Sequence, residues 1–161
     1  MQTENMPKNV AEFWDAFIAS RKQDPAPKLC EAFYFCDNER DANALAELVV
    51  AGTKCATASL LWWYEKDELP LPETGELNIV TDWNGAPRCV IENTAIDIHA
   101  FEEVSAEFAA TEGEGDKSLA YWRKEHWAFF SRECREFNRA PSIQMPVVCM
   151  RFRVIYPLPA A

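Results

Sequence analysis

Asn84-Gly85 stands between two runs rich in strand formers, Glu76–Asp82 and Cys89–Ile98. Both residues tolerate the positive φ that a tight hairpin demands, so the two runs are expected as antiparallel neighbours. That pairing excludes an all-helical chain and an all-parallel sheet. A third run, Pro146–Tyr156, alternates: Val148, Met150, Phe152, Val154 and Tyr156 share one face, with Cys149, Arg151 and Arg153 on the other. Phe33–Phe35 reads as a short strand, and the segment from Thr57 through Trp62, Trp63 and Tyr64 reads as another.

Between these runs lie stretches of helical period. Val10, Phe13, Trp14, Phe17 and Ile18 recur at spacings of three and four, with Asn9 placed as an N-cap. Asp37 or Asn38 opens a helix over 40–50 with Leu45, Leu48 and Val49 on one face, and Gly52 is placed to stop it. A short helix over 101–110 and a longer one over 118–137 flank the Gly-rich run Glu112-Gly-Glu-Gly-Asp116. Leu119, Trp122, His126, Phe129, Phe130 and Phe137 approximate the inward stripe of the longer helix. Helices and hairpins in mixed order predict an α+β protein, an antiparallel sheet or small barrel carrying helices. Residues 1–28 read as an N-terminal helix and loop, and 29–161 as the domain proper. No repeat or low-complexity block divides the chain.

At 161 residues and 48% hydrophobic, the chain can bury one core without disulfide or metal support. Its six cysteines, at 30, 36, 55, 89, 134 and 149, form no Cys-x-x-Cys pair, and two histidines do not complete a zinc set. They read as reduced, small hydrophobes. Neither a signal peptide nor a membrane-spanning run is visible, so a cytoplasmic address without membrane contact is expected. The oligomeric state is not legible.

The net charge of −10 disfavours a broad phosphate-binding surface. The distribution is uneven: residues 1–116 hold 8 basic and 23 acidic side chains, and 117–161 hold 8 and 3. A local basic groove on an acidic body therefore stays open as a reading.

Gly52-Thr-Lys-Cys-Ala-Thr57 sits where a helix stops and an extended segment begins, a joint that functional groups favour. Lys54 and Thr57 are three apart, which separates them in a straight strand and joins them in a bend. Given curvature there, a lysine desolvated to its neutral form can activate the Thr57 hydroxyl. Alternatively, Lys54 is a fixed positive charge for a phosphate, with Thr57 donating a hydrogen bond.

The motifs Gly52-x-Lys54-x-x-Thr57, Ile91-Glu-Asn-Thr94, Glu112-Gly-Glu-Gly-Asp116 and Trp122-Arg-x-x-His126 occur in one order along the chain. In this the sequence resembles the ASCH domain family, from about Phe33 to Tyr156. The resemblance implies a PUA-like, mostly antiparallel β-barrel flanked by helices, related to RNA-binding domains. It also implies a hydrolase that cleaves the amide of an acylated, acetylcytidine-type nucleoside with Lys54, Thr57 and Glu112 as the catalytic set; no cofactor and no metal-ligand residue is assigned, and metal dependence is not legible. Other family members resemble ribonucleases acting on single-stranded RNA, or noncatalytic RNA-binding modules, so the partner is a nucleoside or single-stranded RNA. Met150 stands in Val147-Val-Cys-Met-Arg-Phe152 where many relatives of this branch carry glutamate, which puts in doubt any role needing a second carboxylate. Trp62 and Tyr64 are candidates for stacking on a base. Arg123 and Arg151 are candidates for phosphate contact, and His126 for substrate contact.

Overall fold

The computed structural model describes residues 6–21 and 26–157. Helix α1 (Lys8–Arg21) is preceded by Pro7, whose carbonyl accepts from Val10 N and Ala11 N, so Asn9 is not the N-cap. It lies inside the first turn, and its side-chain amide donates to Gly85 O at 2.9 Å. Strand β1 is Leu29–Phe33, ending where it was expected to begin, and Phe35 is released from the sheet. Helix α2 (Glu39–Val50) is capped by the Asn38 side chain, which accepts from Asp41 N. Its end is a Schellman motif: Gly52 has φ of 71°, its N–H donates to Val49 O, and Thr53 N donates to Leu48 O.

Strand β2 is only Ala56–Leu60. Trp62, Trp63 and Tyr64 lie on a short helix, α3 (Leu61–Lys66), and not on a strand as their composition suggested. Both tryptophans pack edge-on against Phe137, at 5.8 and 4.7 Å, and that contact overrides their extended preference. Strands β3 (Leu77–Thr81) and β4 (Pro87–Ala100) form the expected antiparallel pair. Their connection is longer than a two-residue turn: the Asp82 carboxylate accepts from Asn84 N and Ala86 N, and Gly85 takes φ of 80°. Helix α4 (Ala106–Glu112) is capped by Ser105, and α5 (Leu119–Glu133) by Ser118. Strand β5 (Pro146–Tyr156) closes the order.

The strands form one mixed sheet in the order β1-β3-β4-β5-β2, with β1 parallel to β3 and every other pair antiparallel. The fold is α+β. Among the described residues no pairing joins β1 to β2, so this sheet is open and does not close into the expected barrel. Apolar packing covers both faces. Val147 and Cys149 of β5 join Phe101, Phe108, Trp122 and Phe130 on one side, while Met150 and Phe152 join Phe35, Ala46, Val49 and Ile91 on the other. Val10 and Phe17 of α1 pack with Leu77, Ile79 and Val90. None of the described helices is long and apolar enough to cross a membrane.

Candidate functional site

Lys54 lies in the turn between α2 and β2, and three separate elements fix its backbone. Its N–H donates to Leu48 O of α2, Cys55 N donates to Thr111 O of α4, and Cys55 O accepts from Phe152 N of β5. The chain therefore bends before β2 begins, and Lys54 and Thr57 line one pocket of about 370 Å³. Glu112, the last residue of α4, lines it too. Thr57 is opposite Met150 in the β2–β5 register, so Met150 is the strand neighbour of the hydroxyl.

Lys54 is 1% exposed, as is Glu112. Its Nζ is 3.2 Å from Glu112 Oε1 and 2.5 Å from Glu114 Oε1, and it sits 5.2 Å from the centre of the Phe35 ring. Glu112 Oε2 accepts from the Trp122 indole N–H and lies 3.2 Å from His126 Nε2. Burial alone pushes the Lys54 amine down, but the Glu112 and Glu114 carboxylates outweigh it and hold it above the usual lysine range. The neutral lysine envisaged from the sequence is thus corrected: two carboxylates keep it an ammonium. Burial likewise favours the neutral acid at Glu112, and Lys54, then His126 and Trp122, overcome it to bring that carboxyl down to about 2.

Glu114 is the residue the sequence reading passed over. It places a second carboxylate beside the lysine. Its signal was the spacing Glu112-Gly-Glu114, because a left-handed glycine between two acids turns the chain so that both face one point. Gly113 has φ of 72°, and a Cβ there would lie 2.0 Å from Thr53 O. Only glycine lets the α4 end approach the Lys54 turn this closely.

The other expected contacts are dispersed. His126 lines the pocket. Trp62 is buried, with the Arg139 guanidinium 4.5 Å from its ring centre, and Tyr64 Oη meets Ser59 Oγ at 3.2 Å; neither lines the pocket. Arg123 donates to Glu102 O, and Arg151 pairs with Asp97 at 3.1 Å and Glu107 at 3.6 Å. The pocket wall instead includes Phe35, Tyr121 and Phe129, with the carboxylates Asp41, Glu112, Glu114 and Glu125 set against the cations Lys54 and Arg132. Among the described residues no group of three His, Cys, Asp or Glu side chains is arranged to hold a metal ion.

The family model of the ASCH domain matches residues 31–156. The chain belongs to the ASCH domain family. Solved structures similar to it include an ASCH domain from Lactobacillus crispatus JV V101, 37% identical with a TM-score of 0.90, covering 96% of this chain and 98% of that one. Protein EF3133 from Enterococcus faecalis V583 is 34% identical with a TM-score of 0.85, covering 93% of this chain and 90% of that one. No curated protein matches. In this ASCH domain the alignment of motifs that carried the resemblance, from the Gly52–Thr57 turn to the last strand, falls inside the matched residues.

A second unusual carboxylate lies outside the pocket lining. Glu133, at the end of α5, has a buried Oε2 without a hydrogen-bond partner, and burial pushes its carboxyl up to about 7. Between its ordinary value of 4.5 and about 7 the folded state holds a proton that the unfolded state has released, so stability falls as pH rises through that window. Glu133→Gln is expected to be more stable than the parent at pH 8 by about 1 kcal/mol, after allowing for its partial solvent exposure. The gain, roughly 2–4 °C in Tm, should vanish at pH 4. Equal melting temperatures at pH 8 would refute this.

Proposed function

We propose that the Lys54 pocket hydrolyses the amide of an uncharged, acylated nucleoside of the acetylcytidine type. The observation that carries this reading is the convergence of Lys54, Thr57 and Glu112 on one pocket. Family membership supports a nucleic-acid-related ligand, because ASCH domains are associated with RNA binding. The pocket's volume is within the range of small-molecule sites, and its aromatic side chains suit a base. Its four carboxylates against two cations repel a phosphodiester, and Lys54 is already neutralised by two of them. This favours a nucleoside over an RNA strand.

In the scheme we favour, Thr57 Oγ forms the bond to the acyl carbon, and the Lys54 ammonium stabilises the developing oxyanion. Glu112 orients Lys54. Glu114, the less buried of the two acids at 22% side-chain exposure, accepts the threonine proton and returns it to the amine as the C–N bond breaks. Water then cleaves the acyl-threonine ester. The carboxylate takes the base role that the sequence reading gave to the lysine. A cytoplasmic setting fits such a substrate.

Purified protein should be offered acetylcytidine and, separately, a short single-stranded RNA. Deacetylation of the nucleoside without RNA cleavage is the expected result. Thr57→Val, which keeps shape and loses the hydroxyl, is expected to lower turnover by at least about 10³-fold. Parental turnover in Thr57→Val, or RNA cleavage without deacetylation, would overturn the reading.

A further inference from the structure

Helix α5 carries aromatic side chains on two faces. Trp122 and Phe130 are buried in the core, whereas Tyr121 and Phe129, two turns apart, border the Lys54 pocket. Of Phe35, Tyr121 and Phe129, only Tyr121 packs on no other ring among the described residues: Phe35 stacks on Phe152, and Phe129 meets Phe130. Its place is nevertheless fixed. Ser118 Oγ accepts from Tyr121 N at 3.0 Å, which puts the residue in the capped first turn of α5. Gly115 backs the ring: a Cβ built there would lie 2.3, 2.4 and 2.6 Å from Cζ, Cε1 and Cε2. Near-equal distances to three consecutive ring carbons mean that Gly115 meets a face of the ring, toward its hydroxyl end. Any larger residue would claim the space the ring fills. The same turn carries a carboxylate of the site: Lys117 N donates to Glu114 O at 2.9 Å, and Glu114 Oε1 is 2.5 Å from Lys54 Nζ. The loop that brings Glu114 to the lysine therefore also supports the tyrosine.

We propose that Tyr121 is a specificity residue whose free face, opposite Gly115, stacks on the base of the substrate, so that the site selects acyl groups carried on a planar heterocycle. As to which amide is cut, this rests on the hydrolase reading above; the stacking contact itself does not. The ring is half-buried, and the charges around it are Glu125, Glu114 and Asp41 against Lys124. Three acids to one base disfavour a phosphate at this edge of the pocket and leave a neutral flat group as the fitting neighbour. Because the helix cap and Gly115 already hold the ring, little side-chain freedom is lost when a base covers it. Stacking reads flatness and not a hydrogen-bond pattern, so the contact is tolerant of the base's identity. Trp62 and Tyr64, which the sequence suggested for this role, lie outside the pocket lining, and Tyr121 takes their place.

Calorimetric titration of acetylcytidine into the Thr57→Val protein reads the contact without turnover. Adding Tyr121→Leu is expected to weaken binding about ten- to a hundredfold, the loss of one base–aromatic contact. Tyr121→Phe keeps the ring and should bind about fivefold or more tightly than Tyr121→Leu. Acetylcytosine, which lacks the ribose, should show the same fold loss. Gly115→Ala should weaken binding while Tyr121 is present and add little once it is leucine, because both changes act through one ring. With Thr57 intact, Tyr121→Leu should raise KM and move kcat by less than about threefold. Affinity unchanged in Tyr121→Leu, a loss seen with acetylcytidine and absent with acetylcytosine, or no binding of either ligand would overturn the stacking contact. A fall in kcat at unchanged KM would overturn it too, and leave Tyr121 as packing for the Glu114 turn. Tyr121-dependent binding in a protein that does not deacetylate acetylcytidine would instead sink the hydrolase reading and leave this contact standing.

Discussion

Lys54→Met is expected to lower kcat for deacetylation by about 10²–10³-fold or more, and to cost about 3–5 kcal/mol of stability at pH 7. The two losses have one cause. Methionine fills much of the same space, but it leaves the Glu112 Oε1 oxygen and its partner Glu114 without the ammonium that lay 3.2 and 2.5 Å away. Removing one member of a buried pair strands the other's charge, and that costs far more than the pair's net contribution.

The sign of the pH response separates this from a packing defect. In the parent, the Glu112 carboxyl sits at about 2, below its ordinary 4.5, so its contribution is complete above about 4.5 and is lost as pH falls toward 2. In Lys54→Met the strongest opposing influence is gone and burial dominates, so the carboxyl titrates upward. The variant should therefore recover stability relative to the parent on acidification. Urea denaturation at pH 7 and pH 4 measures it, and a deficit of equal size at both would count against the ion-pair account.

Gly113→Ala is expected to destabilise by about 2–5 kcal/mol and to disable the pocket together with the fold. The added methyl would lie 2.0 Å from Thr53 O, 2.7 Å from its carbonyl carbon and 3.1 Å from Lys54 N. These are backbone atoms, and the hydrogen bonds of Lys54 N to Leu48 O and Cys55 N to Thr111 O keep them from retreating. The φ of 72° adds the left-handed penalty, about 1–2 kcal/mol for an L-residue. Gly85→Ala isolates that penalty, because Gly85 has φ of 80° with nothing within 4 Å of the added carbon. Denaturation midpoints should place Gly85→Ala below the parent by that penalty alone, and Gly113→Ala well below both. Equal shifts would show that the close approach is not what the glycine serves.

The expected segments and the observed ones agree where a local signal was strong and unopposed. Asn38 as a cap, Gly52 as a helix stop, the β3–β4 hairpin and the alternation of β5 each depend on neighbours within a few residues. Trp62-Trp63-Tyr64 did not follow its local preference, because Phe137, more than seventy residues away, supplies the packing that makes it a helix. Asn9 has cap chemistry, but Pro7 precedes it and Gly85 takes its amide.

The candidate site divides in the same way. From the sequence came the expectation, through the family resemblance, that Lys54, Thr57 and Glu112 form one site, and, from their spacing, that a bend must follow Gly52 for the first two to meet. Tertiary structure alone decided the charge on the lysine. That charge depends on Glu114 being carried across by a left-handed glycine, on how completely water is excluded, and on Trp122 and His126 holding the far oxygen of Glu112. Spacing along a chain reports which groups are available. The protonation of a buried group is set by distances to other charges through a medium of low polarity, and those distances exist only once the strands have paired and the helix ends have closed on the turn.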